Sequence, residues 1–381
     1  MKASGTWLSD TATQAVLAML AQGGHQAFCV GGCVRDALIG RGVSDVDIAT
    51  DAHPQTVIDL AARAGLKAVP TGIDHGTITV VAEGRGFEVT TFRRDVETFG
   101  RHAVIAFADR LEDDAARRDF TMNALYARAD GTVVDPLGGG LADLVQRRVR
   151  FVGEPADRIR EDYLRILRFF RFQAHFGDPL RPMDGAALAA CAAHAGGMAQ
   201  LSQERVGAEM RKLLAAPDPA PAVEGMAQTG VLGVILPGAD PSGLRLMVHL
   251  EAGIAPGWLR RLAVLAPQDP ETTLRLTRAE ARNLARIRDH AATDASLAAL
   301  GYWLGADPGA DAALLRAARA RELLAPGWQD EIARGAEQRF PLKARDLMPD
   351  YNGPALGQRL RELEWRWVAS DFTLTRAQLL A

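Results

Sequence analysis

The alternation of apolar and polar residues predicts two kinds of structure along the chain. Residues 1–150 combine short strand-like runs with helical segments, and the strand-like runs stop after residue 152. One β-hairpin is predicted around residues 84–86, between T-I-T-V-V-A and F-E-V-T-T-F. A second is predicted around Asp130-Gly131, a dipeptide that favours a type I′ turn. The pattern therefore predicts an α+β fold, with an N-terminal mixed sheet followed by an all-α region.

Helix boundaries are predicted from capping residues and apolar spacing. Ser9 is expected to cap a helix that ends at Gly23, and His53-Pro54 to open one that ends at Gly65. Further along, residues 157–176 are expected to form one continuous helix and residues 203–214 another.

A proline-rich segment marks the last predicted boundary. Pro217, Pro219 and Pro221 interrupt the helical pattern. We therefore expect three parts: residues 1–150, which mix strands and helices, and two helical parts at 151–216 and 217–381.

Composition narrows the class of protein. The 381 residues suffice for two or three domains, and 48% hydrophobic with 24% charged residues is ordinary for a globular protein. No apolar run approaches the roughly 20 residues that span a bilayer, and the first residues lack the apolar core of a secretory signal. These features predict a cytoplasmic protein without membrane contact. The three cysteines, Cys29, Cys33 and Cys191, are expected to be buried thiols.

Net charge bears on possible partners. The formal charge is −3, so no overall basic field indicates nucleic-acid binding. Any such contact must come from a local patch.

The densest chemical signal lies in the segment from Val30 to Thr50. Gly31 and Gly32 form a turn in which backbone N–H groups can approach a phosphate without interference from a Cβ atom. Asp45 and Asp47 follow in an apolar run that predicts a strand, which would place both carboxylates on one face. Mg²⁺ prefers oxygen ligands and accompanies substrate phosphates. The segment predicts a Mg²⁺-dependent site for a nucleoside triphosphate, and a solvent-facing acidic strand is the alternative.

Two further segments can complete such a site. Glu88, between Phe87 and Val89, could join the acids as a third carboxylate, or could simply face solvent. Arg118 and Asp119 belong to an R-R-D-F run that suits a triphosphate and a ribose hydroxyl, because the guanidinium fork matches phosphate oxygens. A salt bridge that fixes a turn is the alternative for this run.

A charged stripe on the predicted helix 157–176 could read a nucleotide base. The stripe recurs every third residue and comprises Asp162, Arg165, Arg168 and Arg171. An acceptor and a forked donor together can recognise cytosine or adenine through the exocyclic amine and the neighbouring ring acceptors, and would refuse uracil and guanine. An exposed ion-paired stripe is the alternative.

These segments, in this order, resemble the class II CCA-adding enzymes and bacterial poly(A) polymerases, which are polymerase-β-like nucleotidyltransferases. The likeness covers about the first 215 residues. It implies metal binding by Asp45 and Asp47, and nucleotide contacts by Gly32 and Arg35. It also implies that Arg118 and Asp119 contact the nucleotide, the latter on the ribose side. The base-reading motif corresponds to Glu161, Asp162 and Arg165, followed by Arg168 and Arg171.

The resemblance also implies a nucleotidyltransferase head at 1–150, a helical neck at 151–216 that reads the base, and a helical body and tail at 217–381 that binds the tRNA. Residues 93–116 correspond to the family's flexible loop, although G-R-H-A-V-I-A-F replaces the usual run. The implied reaction is addition of C, C and A to a tRNA 3′ end from CTP and ATP, with Mg²⁺ and without a template strand. No protein partner can be inferred.

Three other functions remain compatible with the sequence. A poly(A) polymerase, or an enzyme that adds only C or only A, shares the same head. A catalytically silent tRNA-binding protein could retain the scaffold. A sugar transferase with the D-x-D motif would explain neither the R-R-D-F run nor the arginine stripe.

Overall fold

The computed structural model describes residues 1–99, 102–265, 270–348 and 350–381. They form two compact units: Met1–Leu201 with Gly225–Val234, and Ser202–Glu224 with Ile235–Ala381. The first unit contains both sheets, and the second is helical. The predicted α+β fold, with a sheet-containing head followed by helices, is confirmed.

Nine strands lie in the described residues of the first unit. They are β1 (Ala27–Val30), β2 (Asp47–Thr50), β3 (Lys67–Gly72), β4 (Thr77–Ala82), β5 (Arg85–Thr91), β6 (Arg93–Phe99), β7 (His102–Phe107), β8 (Tyr126–Ala127) and β9 (Val133–Val134). Seven of them form a mixed sheet in the order β3-β4-β5-β2-β1-β8-β9, in which β2 and β5 run parallel. Strands β6 and β7 form a separate two-stranded antiparallel sheet.

The helices of the first unit that lie before residue 201 cover the sheet and continue beyond it. They are α1 (Thr6–Ser9), α2 (Thr11–Gln22), α3 (Gly32–Leu38), α4 (Pro54–Arg63), α5 (Leu111–Ala116), α6 (Gly140–Val145), α7 (Pro155–Glu161), α8 (Leu164–Phe176) and α9 (Gly185–His194). Helix α4 begins after His53, as predicted. Asp10, not Ser9, caps α2, because its carboxylate accepts a hydrogen bond of 3.2 Å from the Thr13 amide.

The two predicted hairpins form, but their turns differ from expectation. In the β4–β5 hairpin both turn residues, Glu83 and Gly84, have positive φ, of 49° and 77°. That is the combination a type I′ turn requires. At Asp130-Gly131 only the glycine has positive φ, so the predicted type I′ turn is wrong there. Asp130 instead accepts hydrogen bonds from the amide and hydroxyl of Thr132.

The predicted helix 157–176 is divided in two. Helix α7 ends at Glu161, Asp162 is extended (φ −153°, ψ 107°), and α8 begins at Leu164. The Asp162 carboxylate accepts a hydrogen bond of 3.1 Å from the Leu164 amide, which compensates for the interruption. Apolar periodicity could not show this break, because it continues through both helices.

An aromatic cluster joins α8 to the end of the head. Phe120 packs against Phe151 and Phe172 with ring centroids 5.0 and 4.7 Å apart, and Phe151 stacks on Phe169 at 5.7 Å. All four side chains are buried. This packing fixes the face of α8 that carries the arginines relative to the segment around Asp119.

The remaining helices are α10 (Gln203–Leu214), α11 (Ala220–Gln228), α12 (Val231–Ile235), α13 (Leu244–Leu250), α14 (Trp258–Leu265), α15 (Pro270–Thr273), α16 (Arg278–Ala291), α17 (Leu297–Leu304), α18 (Ala306–Ala320), α19 (Trp328–Ala336), α20 (Gly353–Ala369) and α21 (Arg376–Leu380). Helix α10 has the predicted bounds. In the second unit Arg261 is 1% exposed and is paired with Glu251, and it donates to the Leu214 and Ala216 carbonyl oxygens after α10. A buried guanidinium thus holds the end of α10 and the residues that follow it, from Leu214 to Pro217.

Other expectations can be compared directly. Cys29, Cys33 and Cys191 are free and buried, as predicted. Part of the expected flexible loop, residues 100 and 101, lies outside the described residues. The neighbouring described residues form β6, β7 and α5. In the described part of the chain, no helix combines the length and apolar character needed to cross a bilayer.

Candidate active site

Two acidic residues lie side by side on parallel strands. Asp47 opens β2 and is the register partner of Glu88 on β5. Neighbouring strands lie about 4.8 Å apart, so these two side chains leave the sheet next to each other. Glu88 is therefore both exposed and next to Asp47.

Asp45 occupies a different position from the one predicted. Strand β2 begins at Asp47, so Asp45 lies in the preceding loop, and the alternation of a strand does not orient it. Its carboxylate accepts a hydrogen bond of 3.0 Å from the Ser44 hydroxyl. It is nevertheless close enough to Asp47 to act on its charge.

The pKa of Asp47 is raised above its ordinary value. The protein around the carboxylate removes part of its hydration, and the negative charges of Glu88 and Asp45 add repulsion, while Arg118 opposes the shift. The repulsion between such carboxylates is relieved when a cation binds between them.

The acids fit a cation whose coordination shell is completed by other ligands. Among the described residues, no group of three or more His, Cys, Asp or Glu side chains is arranged closely enough to hold a metal by itself. Mg²⁺ is commonly held by one or two carboxylates together with waters and substrate phosphates. The Asp47–Glu88 pair, with Asp45 nearby, suits that mode of binding.

Arg118 packs against the glycine turn at Gly31. Gly31 has φ 74° and ψ −119°, a conformation that non-glycine residues rarely adopt. A methyl group on its Cα atom would lie 3.3 Å from Nη1 of Arg118. The turn therefore allows the Arg118 guanidinium to approach the backbone that precedes α3.

A buried carboxylate that sequence reasoning missed orients Arg118. Asp114 is 1% exposed and accepts hydrogen bonds from Arg117, Arg118 and the Tyr126 hydroxyl, at 2.8, 3.0 and 2.7 Å. Burial alone would raise its pKa, but the two guanidiniums and the hydroxyl outweigh burial and lower the pKa to about 2. Arg118 also donates to Tyr126 through Nε, at 3.0 Å. These bonds leave Nη1 as the nitrogen beside Gly31.

Arg35 is tied to the interior of the head. Its Nη1 donates a hydrogen bond of 2.6 Å to the Asn123 side chain, and its Nε and Nη2 donate to Asp36. The guanidinium lies 4.0 Å from the Phe176 ring centroid. Burial lowers the pKa of Arg35. In this arrangement Arg35 organises the glycine segment while most of its donors are already engaged.

Asn123, also missed from sequence, connects Arg35 to Asp119. Its side-chain nitrogen donates to Asp119 at 2.9 Å, and the other Asp119 oxygen accepts from Nε and Nη2 of Arg168, with Nε at 2.8 Å. Although burial acts to raise the pKa of Asp119, the charge of Arg168 and the hydrogen bonds hold it below its ordinary value. Arg35, Asn123, Asp119 and Arg168 therefore form one continuous chain.

The arginines of α8 gather around one aromatic ring. The guanidiniums of Arg35, Arg168 and Arg171 lie 5.3, 5.6 and 4.7 Å from the centroid of Phe172. Phe172 is 3% exposed. All three guanidiniums lie within the range of about 6 Å over which a ring attracts a cation, and together they concentrate positive charge near Asp119.

Arg165 and Asp162 are arranged differently from the prediction. Because α7 ends before Asp162, the two residues do not share one helix. Arg165 is paired with Glu161 and donates to the Arg158 carbonyl oxygen at 3.0 Å and that of Arg117 at 3.3 Å. The expectation of one regular stripe from Asp162 onwards is wrong, and Asp162 lies instead at the break between two helices.

The four predicted segments meet in the first unit. The charges of Glu88 and Arg118 both act on the pKa of Asp47. Arg118 lies against Gly31, and Asp119 forms an ion pair with Arg168. Sequence reasoning missed Asp114, Asn123 and Tyr126. Asp114 and Asn123 lie within five residues of the R-R-D-F run, and this polar density was the only available signal.

Comparison with known proteins identifies the class of this head. Residues 27–150 match the family described as the Poly A polymerase head domain. Residues 183–242 match the family described as a probable RNA and SrmB-binding site of polymerase A. The mixed sheet with its paired acids is therefore a head of the poly(A) polymerase type.

Individual relatives extend the likeness along the chain. The CCA-adding enzyme of Geobacillus stearothermophilus is 40% identical over 247 residues, which cover 64% of this chain and 58% of the relative. That of Lacticaseibacillus paracasei is 32% identical over 371 residues, which cover 93% and 91%. The crystal structure of the Bacillus stearothermophilus CCA-adding enzyme in complex with CTP matches with a TM-score of 0.75 at 29% identity, over 94% and 93% of the two chains.

The chain belongs to the family of class II CCA-adding enzymes and bacterial poly(A) polymerases. It spans 53–58% of the length of three relatives that it matches at 40–41% identity, those of Geobacillus stearothermophilus, Geobacillus thermodenitrificans and Levilactobacillus brevis. Nucleotidyltransferases of this family generally use a divalent metal ion.

Proposed function

We propose that this protein is a CCA tRNA nucleotidyltransferase that adds C, C and A to the 3′ end of tRNA from CTP and ATP, without a template and with release of pyrophosphate. The observation that carries the proposal is the meeting of the Asp47–Glu88 pair with Arg118 and Gly31 in one place. Relatives named CCA-adding enzymes, one of them solved with CTP, support this choice of reaction. We place the reaction in the cytoplasm.

The acids are assigned to the reacting end of the nucleotide. Asp45 and Asp47 would hold Mg²⁺, and Glu88 would seat a second ion or help to deprotonate the tRNA 3′-hydroxyl. When bound, Mg²⁺ supplies positive charge that aligns the α-phosphate and neutralises the departing pyrophosphate. The raised pKa of Asp47 suits a carboxylate whose charge is stabilised further when a cation binds beside it.

The basic residues are assigned to binding. The N–H groups of Gly31 and Gly32 and the free Nη1 of Arg118 would hold the triphosphate, and Arg35 would position them. Asp119 would contact the ribose, Asp162 and Arg165 would select the base, and Arg168 and Arg171 would complete the basic wall.

The three proposed parts of the chain would divide these roles between them. The head at 1–150 would carry the reacting groups, and the neck at 151–216 the base-reading residues. The body and tail at 217–381 would bind the tRNA.

The experiment is an addition assay with tRNAs that end at each of the last three positions. CTP and ATP are supplied separately and together with Mg²⁺. The proposal expects CMP, CMP and AMP addition that stops after A. Asp45→Ala and Asp47→Ala should each abolish addition, while Asp59→Ala, an exposed acid on α4, should retain it. Retained CTP turnover in Asp45→Ala with an intact fold refutes the metal assignment.

A second candidate follows from the match to the poly A polymerase head domain. A poly(A) polymerase would make long A tails on unrelated RNA in the same assay. An enzyme that adds only C or only A would stop short on one of the tRNAs. Tight tRNA binding without any Mg²⁺-dependent transfer would instead identify a silent binding protein.

A further inference from the structure

One helix of the second unit carries a row of exposed arginines. Arg278, Arg282 and Arg286 lie at i, i+4 and i+8 on α16, and all three are exposed. This spacing places them on one face, along about 12 Å of helix at a rise of about 1.5 Å per residue. The row is a local concentration of positive charge in a chain whose net charge is −3.

The acids of the same helix neutralise little of this row. Glu280 accepts a hydrogen bond of 3.0 Å from Arg211 and another from the Thr277 amide in a capping box. Its negative charge is therefore balanced by Arg211 and not by the row of arginines. Arg286 donates to the carbonyl oxygen of Trp303 at 2.7 Å, which fixes the guanidinium without cancelling its charge. The exposed Asp289, one turn beyond Arg286, is the other acid of this helix.

An exposed tryptophan adjoins the arginines. The rings of Trp303 and Trp365 lie 5.2 Å apart with a tilt of 37°, so Trp365 is held against the residue that fixes Arg286. Trp365 is nevertheless 60% exposed. Arg361 lies one turn before it on α20 and is also exposed.

Exposed arginines alone are common on solvated helices. An exposed tryptophan beside such arginines is less common, because burying the indole ring is strongly favourable. Proteins that bind single-stranded nucleic acid combine a basic track for the backbone with aromatic rings on which bases stack. Unpaired RNA bases are recognised in the same way.

We propose that this arginine–tryptophan face, formed by Arg278, Arg282, Arg286, Arg361 and Trp365, binds RNA. The guanidiniums contact backbone phosphates through paired N–H donors, and Trp365 stacks on an unpaired base. The proposal rests on the proposed function, for which tRNA is the acceptor. It names the part of the helical unit that grips the RNA.

The first experiment separates phosphate contacts from general damage. Binding of a labelled tRNA transcript that lacks its last three nucleotides is measured by fluorescence anisotropy across a KCl series. The double variant Arg278→Gln/Arg282→Gln should bind more weakly. Its slope of log affinity against log salt should fall by about 1.4–1.8, because each lost phosphate contact removes about 0.7–0.9. An unchanged slope overturns the proposal.

A matched control tests the location. Arg245→Gln/Arg319→Gln removes two exposed arginines of the same unit that line a separate cavity. It should retain the slope and affinity of the unmodified protein. An equal loss in this control would mean that positive charge anywhere on the unit suffices, which overturns the assignment to this face.

The tryptophan is tested through substitution and rescue. Trp365→Ala should weaken binding about 5- to 150-fold with little change in the salt slope, and Trp365→Phe should recover most of the affinity. Circular dichroism melting of each variant checks the fold. Undiminished binding by a folded Trp365→Ala protein contradicts the stacking contact.

Transfer activity is measured separately on the same variants. CMP incorporation at saturating tRNA should keep its kcat while KM for tRNA rises. If the unmodified protein transfers no nucleotide but the binding results hold, the proposed function fails and the RNA face stands. If transfer is normal and the binding results do not hold, the face fails alone.

Discussion

Asp47 and Glu88 are register partners on parallel strands, and their carboxylates leave the sheet side by side. The pKa of Asp47 is raised first by the loss of hydration around its carboxylate and then by repulsion from the negative charge of Glu88.

Removing the charge of Glu88 should stabilise the metal-free protein. The folded-state pKa of Asp47 lies above its unfolded value, so the cost of its charge is present above that pKa and disappears as pH falls below it. Like charges on neighbouring strands cost about 0.2–1 kcal/mol. Glu88→Gln should therefore raise the melting temperature in EDTA at pH 7, and should lower the pKa of Asp47 in an NMR titration. A lower melting temperature in EDTA would show that the pair does not repel.

The Gly31 conformation should be required for Arg118 placement. Both Gly31 and Gly40 have positive φ, of 74° and 72°, so alanine is strained at either position. The methyl group of Gly31→Ala would also contact the Arg118 guanidinium, whereas that of Gly40→Ala would lie in open space. Strain of positive φ costs about 1–2 kcal/mol. Both variants should lose stability by such an amount, but only Gly31→Ala should also weaken nucleotide binding in calorimetry. Equal nucleotide affinities in the two variants would argue against contact at this turn.

Asn123 should matter for stability and for nucleotide affinity together. Asn123→Ala removes one buried hydrogen bond from Arg35 and one from Asp119, although Arg35 keeps Asp36 and Asp119 keeps Arg168, and such a loss costs about 1–3 kcal/mol. Urea denaturation measures the loss, and KM for CTP should rise because the Arg35–Asp119 connection is broken. Asn352→Ala, an exposed residue before α20 that makes no capping bond through its side chain, is the control and should change neither quantity.

Asp114 should make stability depend on acid pH. Its folded-state pKa, about 2, lies below the ordinary value of 3.8, so its contribution is present above about pH 4 and is lost as pH falls towards 2. The contribution is about 2 kcal/mol. Asp114→Asn should be less stable than the unmodified protein at pH 7, and this difference should shrink between pH 4 and 2. A difference independent of pH would assign the loss to packing.

Asp162 should affect base choice more than transfer. It lies at the break between α7 and α8 and holds the Leu164 amide. Asp162→Ala should reduce the ratio of CTP to UTP incorporation more than the total amount of nucleotide transferred. Asp157→Ala, an exposed acid of α7 paired with Arg160, serves as the control. A uniform fall for all four nucleotides would make Asp162 a structural residue only.

The sequence by itself determined the local elements and the order of the chemical segments. The glycine turn, the acid at the start of β2, the R-R-D-F run and the arginines of α8 were all readable, because each depends on residues close together in the chain. The α+β division was readable for the same reason. Apolar spacing did not reveal the break at Asp162, since the apolar face continues across it.

Tertiary structure decided which of these residues meet. Strand register places Glu88 beside Asp47, although 41 positions separate them, and no local pattern encodes that pairing. Buried partners such as Asp114 and Asn123 were invisible because a carboxylate or an amide in a sequence shows neither its burial nor its hydrogen bonds. Charge balance and desolvation, which set the pKa values of Asp47 and Asp114, exist only once the chain has folded around them.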